Sequence, residues 1–356
     1  MTEKRYDLEL LTWTFCGGAD QKRAEIRVPS IRGQVRWWFR ALGGTWEEER
    51  ELFGGVLHDS PKRSKVVLRL VEPVVSDNAK NLEDLGLKND FELGYLLFPL
   101  RPSQRSDQRR GLIDPQHGRF TVTATLRGLV KPQLAEMFER AMESWILLGA
   151  LGTRSRRGFG SVWPQNDSLG GATLRSLEDF RGRLRNLAAA SRRHPRVMTL
   201  GGGHDTWEKA LRAAAKWLKG YRAGSSSFGQ KPSRWGRNDH DAALGKANVL
   251  YRPVLGLPLE QRFRSAPLHY RTVHPKYKER WASPLHLKVI RLGGKYYPLA
   301  VFFPDHAMRD GEGVRLQPAG RTPAGGPRNL PVSRDLLQAM MQAVPPGGTV
   351  LLEGTG

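Results

Sequence analysis

The chain has 356 residues, 39% of them hydrophobic, enough for two domains of ordinary size, each with its own core. Its 57 lysines and arginines against 35 aspartates and glutamates leave a formal charge of +22, well beyond what solubility asks for; this points to a lasting polyanionic partner, with nucleic acid ahead of a membrane surface. No apolar run approaches the roughly 20 residues of a membrane span, the first residues lack the apolar centre of a signal peptide, and a single cysteine excludes an intrachain disulfide or a cysteine-rich zinc site, so a cytoplasmic protein with no cofactor is expected.

Residues 6–15 read as an extended segment leading into Cys16-Gly17-Gly18. Cys16 has no activating neighbour in sequence and reads as a small buried side chain rather than a nucleophile. Residues 28–44 predict a helix. Ile31, Val35, Trp38, Phe39 and Leu42 fall within a sector of about 100° that forms a buried face. Arg32, Arg36 and Arg40 follow at i, i+4 and i+8 on the adjoining flank, with Gly33 beside them and Trp37 further round, so one rod presents three guanidinium groups in register. Ser30 after Pro29 is the expected N-cap, and Gly43-Gly44 supplies an end able to turn left-handed. A second helix over 46–52 ends at Phe53-Gly54-Gly55. Residues 65–71 and 95–100 read as strands, and 101–119, polar and rich in arginine, as a mobile loop able to touch phosphates. From 119 to 127, Phe120, Val122, Ala124 and Leu126 alternate with Thr121, Thr123 and Thr125, the pattern of a half-buried strand. A helix over 131–148 follows, its apolar residues at helical spacing.

Beyond Trp163-Pro164 the pattern is less regular. Residues 181–196 form a basic stretch, 206–221 an amphipathic helix, and 224–236 a glycine- and serine-rich segment. Asp239-His240-Asp241 reads either as a helix N-terminus favouring carboxylates or as ligands for a divalent ion. Gly293-Gly294 between two apolar runs is a hairpin turn signal, with Pro298 placing the second run at a sheet edge or shortening it. Residues 307–331 read as a flexible loop, followed by a helix near 335–343 and a strand near 349–352.

Residues 149–160 carry three arginines, Arg154, Arg156 and Arg157, framed by glycines. Glycines let a backbone lie close against another chain, while amide N–H groups and guanidinium forks bind phosphate oxygens. The segment lacks the Walker and dinucleotide-binding spacings. Leu151-Gly152, five residues including basic ones, then Gly158-Phe159-Gly160 resemble the glycine-rich signature of the RAMP superfamily of CRISPR proteins, with Ala150 where the first glycine would stand. Together with the 31–43 helix motif, Leu52-Phe53-Gly54, Tyr95-Leu-Leu-Phe-Pro99, Leu255-Gly-Leu-Pro258 and Ala282-Ser-Pro-Leu285, the chain resembles the first-named subunit family of type III-B CRISPR effector complexes.

The resemblance implies an α+β chain of two tandem ferredoxin-like, RRM-related βαββαβ domains, over 1–165 and 166–356. It implies a non-catalytic subunit that binds guide RNA near its 3′ end, helps capture target RNA and sits beside other RAMP subunits. The residues expected on RNA are Arg32, Gly33, Arg36, Trp37 and Arg40 of the helix and Gly152, Arg154, Arg156, Arg157, Gly158 and Gly160 of the loop. Trp37 either stacks on a base or packs internally. The competing class is a metal-independent guide-processing endoribonuclease, for which His204, His240, His269, His274 and His286 are candidates, none in an acid-base constellation by sequence.

Overall fold

The computed structural model describes residues 3–57, 60–104, 106–223, 233–262, 269–274, 276, 280–319 and 326–355. Its first elements are β1 (Glu3–Leu10), α1 (Val28–Ala41), α2 (Trp46–Phe53), β2 (Val66–Leu70), β3 (Phe120–Leu126), α3 (Pro132–Leu148) and β4 (Val162–Pro164). There follow α4 (Leu177–Ala189), β5 (Arg196–Thr199), α5 (Trp207–Arg222), α6 (Arg234–Ala243), β6 (Leu259–Arg262), β7 (His269–Val273), β8 (Leu285–Leu292), β9 (Lys295–Phe302), β10 (Gly313–Pro318), β11 (Arg328–Pro331), α7 (Asp335–Gln342) and β12 (Val350–Leu352).

The first sheet runs β4-β1-β3-β2 with every neighbour antiparallel, in a register that sets Tyr6 opposite Val122, Leu10 opposite Val162 and Ala124 opposite Leu68. With α1 between β1 and β2, and α3 between β3 and β4, this is the ferredoxin-like βαββαβ order. α1 and α3 pack against each other, and Ile31, Val35, Trp38 and Phe39 are buried, as the helical spacing predicts. The start of α1 differs from expectation: it begins at Val28 after an extended Arg27, with no side-chain cap, because Pro29 in the first turn already has a helical φ and no N–H to satisfy. Gly43, at φ +95°, ends it in the left-handed region.

Two expectations in this stretch fail. Residues 95–100 are not a strand: Asp90 Oδ1 accepts from the amides of Glu92 (3.0 Å) and Leu93 (2.7 Å), starting a helical turn at Leu93–Leu96 that runs into a 3₁₀ turn at Phe98–Leu100. Nor is 101–119 one mobile loop, since Arg110–Ile113 forms a strand paired with Thr14–Phe15 and Ala79–Lys80, its Leu112 and Ile113 buried.

A second four-stranded sheet runs β8-β9-β5-β12, and the chain order β5-α5-β8-β9-α7-β12 repeats the βαββαβ sequence with the same strand order. Gly293 (φ +55°) and Gly294 (φ +76°) make the predicted hairpin turn between β8 and β9. β9 is an interior strand, however, not an edge. Pro298 is tolerated there because it contributes its carbonyl, which accepts from the Leu200 amide at 2.7 Å.

The chain divides into two compact units. The first comprises Met1–Ala215, His286–Val301 and Pro346–Thr355 and holds both sheets apart from the end residues Leu285 and Phe302. Trp38, Phe39, Trp145, Phe159, Trp163 and Phe180 fill its core. The basic stretch 181–196 proves to be helix as far as Ala189, with Arg196 opening β5: Ser176 and Asp179 form a capping box that opens α4.

The second unit comprises Lys216–Leu285 and Phe302–Pro345. Its antiparallel sheet β6-β7-β10-β11 occupies much of the 307–331 stretch expected to be flexible, with Val314 and Leu316 buried; residues 320–325 lie outside the described residues, as do 224–232 of the glycine- and serine-rich segment. Asp239-His240-Asp241 sits in the latter half of α6 rather than at its start. Asp239 is fully buried and accepts from the Tyr251 amide (2.7 Å), the Arg252 amide (3.0 Å) and Arg252 Nε (2.8 Å), while His240 and Asp241 remain partly exposed. One member of the triplet is thus committed to holding the chain at 251–252.

Candidate nucleic-acid interface

The arginine row of α1 is built as its four-residue spacing requires, but its guanidinium groups already have protein partners. Arg32 donates to the carbonyls of Val66 (3.1 Å) and Phe53 (2.6 Å) and to Ser64 Oγ (2.5 Å), and lies 5.7 Å from the Phe53 ring centroid. Burial, and after it the Arg36 charge, lower its pKa from the usual arginine range. Arg36 Nε and Arg40 Nη1 both grip Glu49, at 2.7 Å and at 2.6 and 2.7 Å to its two oxygens.

Glu49 belongs to the first turn of α2, whose Thr45–Glu48 capping box fixes that helix end. Its side chain is 1% exposed, against 35% for Arg36 and 45% for Arg40. The expected row of three open cations is therefore corrected: two share one buried carboxylate and the third is spent largely on carbonyls. Gly33 is exposed, with no atom within 4 Å of where a Cβ would stand. Trp37 is half-buried, edge-on to Trp38 at 5.3 Å and 5.0 Å from the His286 ring.

The glycine-arginine segment is rooted by a buried lysine. Lys288 Nζ donates to the carbonyls of Ile146 (2.7 Å), Gly149 (2.8 Å) and Val162 (2.6 Å), one acceptor for each N–H of an ammonium at the C-terminal end of α3. Burial pushes its pKa well below the ordinary lysine value, and the three carbonyls offset that cost. Beyond this root the Leu151 amide donates to Gly160 O (2.9 Å), Thr153 N to Phe15 O (2.7 Å) and Arg157 N to Arg154 O (2.7 Å).

The glycines serve a purpose other than the one their spacing suggests. Gly152 (φ +78°), Gly158 (φ +85°) and Gly160 (φ +70°) all need the left-handed region, and a Cβ on them would lie 2.4 Å from Phe15 O, 2.2 Å from Leu211 Cδ2 and 1.9 Å from Leu151 O. The chain they admit is their own. Arg154 adopts φ +66°, held by an Nε hydrogen bond to Leu96 O (2.6 Å) and by its place 5.5 Å from the Phe98 ring centroid. Arg157 Nη1 donates to Arg156 O (3.0 Å), and burial lowers the pKa of Arg156.

Helix and loop meet through adjacent residues of β8. His286 packs on Trp37, and the Leu287 amide donates to Arg156 O at 3.2 Å. The two basic stretches, more than a hundred residues apart in sequence, thus occupy neighbouring ground in the first unit. At the C-terminal end of α1 an open cavity of 460 Å³ is lined by Arg40, Gly43, Gly44, Thr45, Arg192 and Arg193. Arg192 forms a bidentate pair with Glu48, at 2.6 and 2.7 Å. Glu49, Lys288 and Arg192 are the members that sequence reasoning did not single out; only Arg192 lay in a stretch marked by its charge.

Four of the five candidate histidines are dispersed among separate partners: His269 with Glu260 (2.9 Å), His274 with Glu312 (3.0 Å), His240 with Asp241 (3.8 Å) and His286 with Trp37. Among the described residues no three histidine, cysteine, aspartate or glutamate side chains group as a metal site, and no helix is long and apolar enough to cross a membrane.

Residues 7–163, from within β1 to within β4, match the RAMP superfamily. This stretch is similar to a RAMP module. The chain is 28% identical over 298 residues to the Cmr1-1 subunit of the CRISPR Cmr system of Pyrococcus furiosus, covering 78% of this chain and 80% of that one. It is 29% identical over 181 residues to Cmr1-2 of the same organism, 46% of this chain and 95% of the relative. The crystal structure of Pyrococcus furiosus Cmr1 in its apo form superposes with a TM-score of 0.56 at 20% identity over 99% of both chains, so the α+β fold is shared. A chain from a type III-B Cmr-β complex bound to cognate target RNA aligns at TM-score 0.50 and 12% identity, over 95% of this chain and 97% of that one.

Proposed function

We propose that this chain is a non-catalytic RNA-binding subunit of a type III-B CRISPR effector complex in the cytoplasm, holding the 3′ region of the guide RNA and helping to capture target RNA beside other RAMP subunits. The observation that carries the reading is the junction of α1, through Trp37, with the glycine-arginine loop, through Arg156, across His286 and Leu287, in a chain of formal charge +22. Similarity to Cmr1 subunits supports it. In this reading residues 1–165 are the RNA-facing module and 166–356 the second module.

Arg32, Arg36, Arg40, Arg154, Arg156 and Arg157 line the track and neutralise phosphates, with Gly33 and Trp37 as open ground and flank. Gly152, Gly158 and Gly160 act by shaping the loop. A guanidinium already held by a carbonyl or carboxylate is pre-oriented, and its outward N–H groups meet phosphate with little further ordering. Sequence is read by guide-target pairing, while the protein follows the backbone.

Arg36→Ala and Arg157→Ala should each weaken binding of single-stranded RNA similarly for all sequences, lowering the salt slope of log K by roughly 0.7 for each phosphate left without its cation. Affinity and slope unchanged in both variants would reject the assignment. Incubation with guide RNA, with and without EDTA, separates this reading from a nuclease: bound and intact RNA is expected, and specific cleavage would overturn it.

A further inference from the structure

The motif Tyr95-Leu-Leu-Phe-Pro99 has no part in the track described above, yet one of its side chains points the wrong way for a core element. Leu93, Leu96, Leu97 and Leu100 are buried, whereas Phe98 is 62% exposed, more than any other phenylalanine or tryptophan among the described residues. Its backbone is tied at both ends. The Leu97 amide donates to Leu93 O (2.9 Å), Leu100 N to Leu97 O (2.8 Å), Arg101 N to Phe98 O (3.1 Å) and Leu82 N to Leu100 O (3.0 Å). The preceding turn is clamped by Asp90, which caps it through Oδ1 and takes Arg212 through Oδ2 at 2.8 Å.

This rigid exposed ring carries the guanidinium of Arg154 at 5.5 Å, and Arg154 is the residue of the glycine-arginine loop held at positive φ. A non-glycine residue in that region is strained and persists only where its surroundings hold it. Here they do so by fixing Nε on Leu96 O, a carbonyl two residues before the ring. The strain therefore delivers one cation to one exposed aromatic at the border of the loop. A flat apolar face beside a planar cation suits a nucleobase, whose π-face stacks on either and whose phosphate finds the adjoining charge.

We infer that Phe98 and Arg154 form a stacking seat for one base of a single-stranded RNA. The inference rests on the RNA-binding reading and adds to it a contact to a base rather than to phosphate, so it leaves a different trace in salt. Phe98→Ala should weaken binding of a mixed-sequence single-stranded oligoribonucleotide about tenfold with the salt slope unchanged, because every phosphate keeps its cation. The same substitution should leave binding of an abasic ribose-phosphate oligomer of equal length unaltered, and Phe98→Trp should keep wild-type affinity for the natural RNA.

Because the ring is exposed, the thermal midpoint should not move. Unchanged affinity of Phe98→Ala for the mixed-sequence RNA, or an equal loss on the abasic oligomer, overturns the seat. If Phe98→Ala instead impairs only assembly with other subunits, the ring is a protein contact and the inference is wrong. A wild-type chain that binds neither oligomer would fail the functional reading itself, and the seat with it.

Discussion

The helix row and the glycine-arginine loop hold the same side chain in different ways, one on a buried carboxylate and the other with backbone carbonyls among its partners. On α1, Arg36 and Arg40 enclose the buried carboxylate of Glu49, so their two charges sum with it to a single positive one. On the loop, Arg154 and Arg157 donate to the carbonyls of Leu96 and Arg156. Rigidity comes from regular backbone in the first case and from left-handed glycines wedged against their own chain in the second. A count of arginines therefore overstates the field of the helix.

The sharpest way to break this contrast is to strip Glu49 of its partners. Arg36→Ala with Arg40→Ala leaves a carboxylate buried without a countercharge, and chemical denaturation should register a loss of about 3 kcal/mol, the low end for such pairs because both arginines keep some water. A loss below about 1 kcal/mol would mean that the carboxylate is not truly captive. On the loop side, Gly158→Ala meets both the φ of +85° and Leu211 Cδ2, and should cost about 1–3 kcal/mol in the same assay; full tolerance would show that the loop is pliable.

Glu49→Gln is gentler and runs the other way. It frees two guanidinium groups, so RNA affinity should rise and the salt slope steepen by roughly 0.7 for each further phosphate neutralised. A slope that stays flat would place the helix row outside the track. The smallest effect is a pH dependence beside the loop, where a Cβ on Gly152 would lie 3.2 Å from Cys16 Cβ. Burial raises the Cys16 thiol to about 11, so alkylation at pH 8 should run roughly a hundredfold slower than for a free thiol and climb as pH rises towards 11. Rapid alkylation at pH 8 would report an open loop.

Much of this was legible in the sequence where the determinant is local. Spacing alone placed the buried face of α1 on Ile31, Val35, Trp38 and Phe39, and the threonine alternation located β3. Glycines flagged the turns at 43, 54 and 293–294. What failed depends on distant partners. Residues 95–100 are apolar enough for either strand or helix, and only the Asp90 cap decides. Pro298 sits inside a sheet because Leu200 needs its carbonyl. Glu49 lies in a run of three glutamates that suits any helix N-terminus, and nothing in that run marks the member that turns inward.

Lys288 sets an order of events on a growing polypeptide. The three carbonyls it satisfies lie between residues 146 and 162, so they are synthesised well over a hundred residues ahead of their ammonium donor. A nascent chain paused at residue 165 carries the complete first βαββαβ sequence with the floor of its glycine-arginine loop still unsatisfied. The loop gains the ammonium beneath its floor only when β8 emerges, which ties the completion of residues 146–162 to the translation of a strand more than a hundred residues later.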